Sequence, residues 1–139
     1  MELSLIKLLF DFGLLVLIWM VQLLIYPSFK FMDKQSLLVW HPTYSKGISV
    51  IVIPLMLSQF ALSVLLLIKD FSLYRSIDTV LVILVWAITF IIFVPTHQAL
   101  STGKSDVQLR NKLVNKNWYR TFIWTVIFLA DLCMVIYYW

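Results

Sequence analysis

Two histidines, His41 and His97, and one arginine, Arg120, are the residues on which chemistry in this chain would rest. Imidazole titrates nearest neutrality and is the commonest metal ligand, so the pair suits acid–base work, a metal or a haem. If a metal is held, His41 and His97 are its ligands. No HxxH or HExxH spacing selects one, and the plainer alternative is an imidazole that caps a helix end or bonds a loop carbonyl. Arg120 could hold a carboxylate, phenolate or phosphate, with Asn117 giving a neutral hydrogen bond and Trp118 or Trp124 a stacking wall. Equally, it is a surface anchor that reaches lipid phosphate. Tyr44, Gln59 and Gln22 complete the candidate ligand-binding set, and Tyr26, beside a proline like Tyr44, fits either a site or packing. Trp19, Trp40 and Trp86 read as packing or interface residues.

Asp11 and Asp131 form a second constellation, a buried acidic pair. Ionisable groups inside a membrane are costly and usually face the bundle interior with a partner. The two carboxylates are either hydrated or hydroxyl-bonded near the outer surface, or they share a proton, an arrangement suited to proton transfer or cation binding.

The elements that must position these residues are apolar runs. The chain has 139 residues, of which 62% are hydrophobic and 13% charged, against about 25% charged in soluble domains. So little charge cannot solvate a globule, and runs of about 20 apolar residues match a bilayer core of roughly 30 Å. Spans are expected over 5–25, 48–68, 77–94 and 118–139, with an interfacial segment over 28–46, all in one domain, 1–139. Pro27 should stop the first span, Pro54 kink the second and Pro95 end the third. The first run is too long for a signal peptide, and Tyr26-Pro27-Ser28-Phe29 is no cleavage site, so it reads as a retained span. Tyr137-Tyr138-Trp139 would sit at the water interface. The expected fold is an all-α integral membrane protein, an antiparallel four-transmembrane-helix bundle.

Lys30, Lys34, Lys46, Lys104, Arg110, Lys112, Lys116 and Arg120 lie on one side of that bundle, against Lys7, Lys69 and Arg75 on the other. That bias puts loops 26–47 and 95–117 in the cytoplasm and both termini outside, in a plasma (bacterial inner) membrane. The basic residues suit anionic headgroups, so membrane lipid is the expected partner and nucleic acid is not. Cys133 is alone, which excludes an intrachain disulfide. Three glycines argue mildly against GxxxG dimers, while a homo-oligomer stays open.

Positions eleven apart on an α-helix share a face, after about three turns and roughly 16 Å of rise. Asp11 and Gln22 in the first run, and Arg120 and Asp131 in the last, are so spaced. Antiparallel threading then sets both aspartates at one end and Gln22 with Arg120 at the other. Asp78, Trp86, Thr89 and His97 follow one face of the third run, and the second adds Gln59 and Ser63.

The elements YPSF, WHPTY, VIPLMLSQF, VPTHQAL and LVNKNWYRTFIWT resemble, in order, a family of small four-span bacterial membrane proteins of unknown function. More distantly they resemble the anthrone oxygenase-like family, in which a PxHxxL element precedes a loop and a helix start bearing Trp and Arg. Only PTHQAL and NWYRT are specific. The resemblance implies oxygen-dependent oxidation of an aromatic phenol without an established metal or flavin, with His97, Asn117, Trp118 and Arg120 at the site and His41 next. The second histidine near Tyr44 and the glutamate near Gln59 that such relatives carry are absent here.

Three function classes follow. An oxidoreductase or oxygenase-like enzyme would act on a lipophilic aromatic or quinone-like molecule in a cytoplasmic-side pocket. A carrier or proton-coupled binding protein would use the Asp11, Gln59 and Asp131 stripe. An accessory subunit would need neither. Residue types alone assign no cofactor, substrate or electron source.

Overall fold

An apolar run in lipid must satisfy its own backbone polar groups, and the helix is the solution available to a single segment. The structure is a computed structural model that describes residues 2–104 and 106–138. Four helices are long and apolar enough to cross a membrane: α1 (Glu2–Phe31), α2 (Lys34–Lys69), α3 (Leu73–Ser101) and α4 (Val107–Tyr137). Short connections make sequential neighbours antiparallel. The protein is an all-α, four-helix integral membrane bundle, and Trp139, the last residue of the expected terminal cluster, lies outside the described residues.

The helices run further than the prolines suggest. Pro27 and Pro95 were expected as stops, yet α1 continues to Phe31 and α3 to Ser101. A five-residue π-turn precedes each proline by the same spacing, Val21–Ile25 before Pro27 and Thr89–Phe93 before Pro95. In each, the residue just ahead of the proline donates five residues back, Tyr26 N–H to Val21 C=O and Val94 N–H to Thr89 C=O. This widened register opens the ladder where a proline cannot donate, and the helix resumes beyond it.

Two further expectations are corrected by the same continuity. Most of the 28–46 segment is no separate interfacial element: from Lys34 on it forms the first turns of α2, which runs unbroken through Pro42 and Pro54. The basic stretch after Pro95 is mostly helix too. His97 lies on α3, Arg110, Lys112, Lys116 and Arg120 lie on α4, and α3 ends at Ser101 while α4 begins at Val107.

Side-chain caps set the starts. Asp33 accepts from Ser36 N–H at 2.8 Å, Ser72 from Arg75 N–H at 3.3 Å and Asp106 from Leu109 N–H at 2.6 Å. The paired Ser36 bonds, backbone and hydroxyl, hold the exposed Asp33 carboxyl below its ordinary range. Gly103 closes α3 in the left-handed region at φ +84°, the usual use of glycine after a helix.

The core has two parts. Leu14, Ile18, Met56, Val82, Trp124 and Ile127 pack mid-bundle, and Tyr26, Phe29, Leu37, Phe93, Leu100 and Leu113 pack toward the α1–α2 connection. Leu9, Leu24, Val50, Ile68 and Phe122 face outward, a surface that only acyl chains solvate without cost.

Candidate functional site

Phe93 and His97 are four residues apart on α3, so they share the inward face. On α2, His41 is fully buried and its ring stacks on His97, centroids 5.1 Å apart and planes at 25°. His41 Nε2 and His97 Nδ1 are 2.9 Å apart. The outer nitrogens are also engaged: His97 Nε2 lies 2.9 Å from Tyr26 Oη, and His41 Nδ1 lies 2.8 Å from Ser101 Oγ.

A neutral imidazole has one donor and one acceptor nitrogen. The neutral chain can therefore be fully bonded with only two polarities. Either Tyr26 O–H donates to His97, His97 to His41 and His41 to Ser101, or every bond reverses. Passing between them carries one proton from one end of the chain to the other. Arg120 stands on the same cavity lining as Tyr26 and His97, at the phenol end of this chain.

Arg120 is buried at 6% exposure, so it does not snorkel outward. Its Cζ stands 4.2 Å from the Phe93 ring centroid and 5.3 Å from that of Trp124. Tyr26, His97 and Arg120 line the polar end of a cavity of about 680 Å³, whose remaining wall is mostly apolar. Both π-turns contribute to it, through Val21 on α1 and Thr89, Phe90 and Phe93 on α3. Ile53, Leu57, Phe90 and Val94 on its rim are exposed, so the cavity opens between α2 and α3 toward lipid.

The other end of the bundle holds a second polar centre. Lys7, fully buried, meets three aspartates with its three ammonium hydrogens: Asp11 at 3.1 Å, Asp78 at 3.0 Å and Asp131. Gln59 donates to Asp11 at 2.7 Å, Ser63 to Asp78 at 3.1 Å and the Tyr74 hydroxyl to Asp131. Arg75 lies 3.7 Å from Asp131 and donates to Ser4 at 3.0 Å. One lysine here joins three helices, since its partners come from α1, α3 and α4.

The candidates divide accordingly. His97, Arg120 and Tyr44 meet around the cavity, and His41 packs behind them against His97 and Tyr44. Gln22 and Asn117 are buried beside it but pair with each other, Asn117 Nδ2 donating to Gln22 Oε1 at 2.9 Å, and so fasten α1 to α4. Gln59 belongs to the lysine end, not to the histidine pocket. Trp118 faces outward, half exposed and edge-on to Trp19, so of the two tryptophans offered as a stacking wall only Trp124 stands beside Arg120. Trp86 lines the cavity rather than serving as packing alone. Asp11 and Asp131 converge on Lys7.

Ser101, Tyr74 and the role of Lys7 escape sequence reasoning. Lys7 and Asp11 are four apart, the spacing of a helical ion pair, and that was the available signal. Among the described residues no three His, Cys, Asp or Glu side chains gather as a metal set. Comparison with protein-family models, curated proteins and solved structures finds no match to this chain.

Proposed function

We propose that this membrane protein binds a lipophilic aromatic or quinone-like molecule in the α2–α3 cavity and exchanges a proton with its ring oxygen, as an oxidoreductase acting on such a molecule requires. The observation that carries this reading is the unbroken chain Tyr26–His97–His41–Ser101 at the polar end of an apolar, lipid-open cavity. Its volume lies in the range of about 300–1,000 Å³ that small-molecule sites occupy. A ring hydroxyl beside Tyr26 would give its proton to that oxygen as Tyr26 passes its own to His97, His97 to His41 and His41 to Ser101, whose half-buried hydroxyl in turn releases its hydrogen to water. The resemblance of PTHQAL and NWYRT to the anthrone oxygenase-like family supports the choice of an aromatic phenol. The Lys and Arg excess supports a cytoplasmic histidine end in a bacterial inner membrane.

Binding of a decyl-substituted benzoquinol to protein in lipid nanodiscs tests the reading. Tyr26→Phe and His97→Gln should each weaken binding roughly tenfold, the loss expected when a buried polar partner is removed. Trp118→Phe, on the outward face, should leave it unchanged. Equal affinity in all four proteins would place the quinol elsewhere.

A further inference from the structure

Among the described residues no acidic group pairs with Arg120. Among the described residues its ring partners are Phe93 and Trp124, its polar neighbours are the phenols of Tyr26 and Tyr44 with the imidazole of His97, and its Nε has no hydrogen-bond partner. The ion pairs of Lys7 and Arg75 with Asp11, Asp78 and Asp131 all lie at the lysine end. A second donor in the cavity lining is idle as well: Trp86 Nε1 is buried and unpartnered. A buried cation without an anion is costly, and an idle buried donor adds to the cost. A negative group entering from the cavity would answer the Arg120 charge.

Building on the cavity reading above, we propose that the occupant is a single-chain lipophilic anion, a carboxylate or phenolate, whose charge rests on Arg120 and whose hydrocarbon lies between α2 and α3. The cavity narrows the choice, since its wall past Met56 and Leu57 is apolar and its rim is open to lipid. One chain enters there with its tail still in the bilayer. A phenolate at this position also explains the pairing with the histidine chain, since the proton released in forming it has a path away through His97.

Equilibrium dialysis of labelled myristate and myristyl alcohol, which share a tail, against protein in phosphatidylcholine nanodiscs tests the proposal. Wild type should hold the carboxylate at least about tenfold more tightly than the alcohol, in keeping with a charge-assisted hydrogen bond. Arg120→Gln should erase the difference, and Arg120→Lys, which keeps the charge and guards against a folding artefact, should retain part of it. Equal wild-type affinities would overturn the anion while leaving the cavity as a lipophile site. Failure of both ligands to bind would remove the cavity reading itself. Loss of myristate binding when phosphatidylglycerol is added to the disc would show that lipid phosphate occupies Arg120 and would also overturn the proposal.

Discussion

Trp124 Nε1 donates to Gln59 Oε1 at 3.1 Å, deep in the bundle. The two residues join the polar centres, because the Trp124 ring lies against Arg120 while Gln59 donates to Asp11. Trp124→Phe keeps the ring against Arg120 and leaves a buried amide oxygen unpaired, at about 1–3 kcal/mol. Thermal unfolding in detergent should detect that loss, and the double variant Trp124→Phe with Gln59→Leu should recover part of it. No loss would mean that the bond contributes nothing to the packing.

Lys7 should be the single most sensitive charge in the chain. Lys7→Met leaves three buried carboxylates without their shared cation, and breaking a buried pair from one side costs about 3–5 kcal/mol. Adding Asp131→Asn removes one excess charge and should restore some stability. A Lys7→Met protein as stable as wild type would refute the three-carboxylate arrangement.

His41 has no place on the cavity wall, so its role separates from binding. His41→Phe keeps a ring against His97 but offers no nitrogen. Binding of a decyl-substituted nitrophenol should hold within about twofold, while proton release on mixing, followed with a pH dye, should slow roughly a hundredfold, as for loss of a positioned base. Unchanged release would show that protons leave by another route.

Asp33 gives a pH dependence with a definite sign. Its carboxyl sits below the ordinary range in the folded protein, so its capping contribution is complete above the unfolded value and is lost as pH falls through the folded one. The protection of the Ser36 amide, the intrinsic exchange rate over the observed one at each pH, should fall across that acid window in wild type and be low and flat in Asp33→Ala. A flat wild-type profile would contradict the cap.

How much of this was legible follows from what each signal measures. Run length and low charge disclose four spans, because lipid admits little else, and eleven-residue spacing puts Asp11, Gln22, Arg120 and Asp131 on inward faces. The span ends were misread because proline rules assume an unbroken α register, whereas π-turns precede Pro27 and Pro95. Gln59, offered both to the ligand set and to the Asp11–Asp131 stripe, stands with Asp11, and Trp118 stands away from Arg120, because depth and rotation between helices come from packing, which one helix's periodicity does not encode. Lys7 read as a topology charge since its partners Asp78 and Asp131 are far away in sequence.

The most direct test of the account is photolabelling with a diazirine-tagged decyl benzoquinone in nanodiscs, mapped by mass spectrometry. Label should appear on peptides carrying Tyr44, Met56 and Phe93, and Val52→Trp, which fills the cavity from its α2 wall, should abolish it without unfolding the protein. Label concentrated around Trp118 and Phe122 on the outward face of α4, and indifferent to Val52→Trp, would contradict a ligand in the α2–α3 cavity.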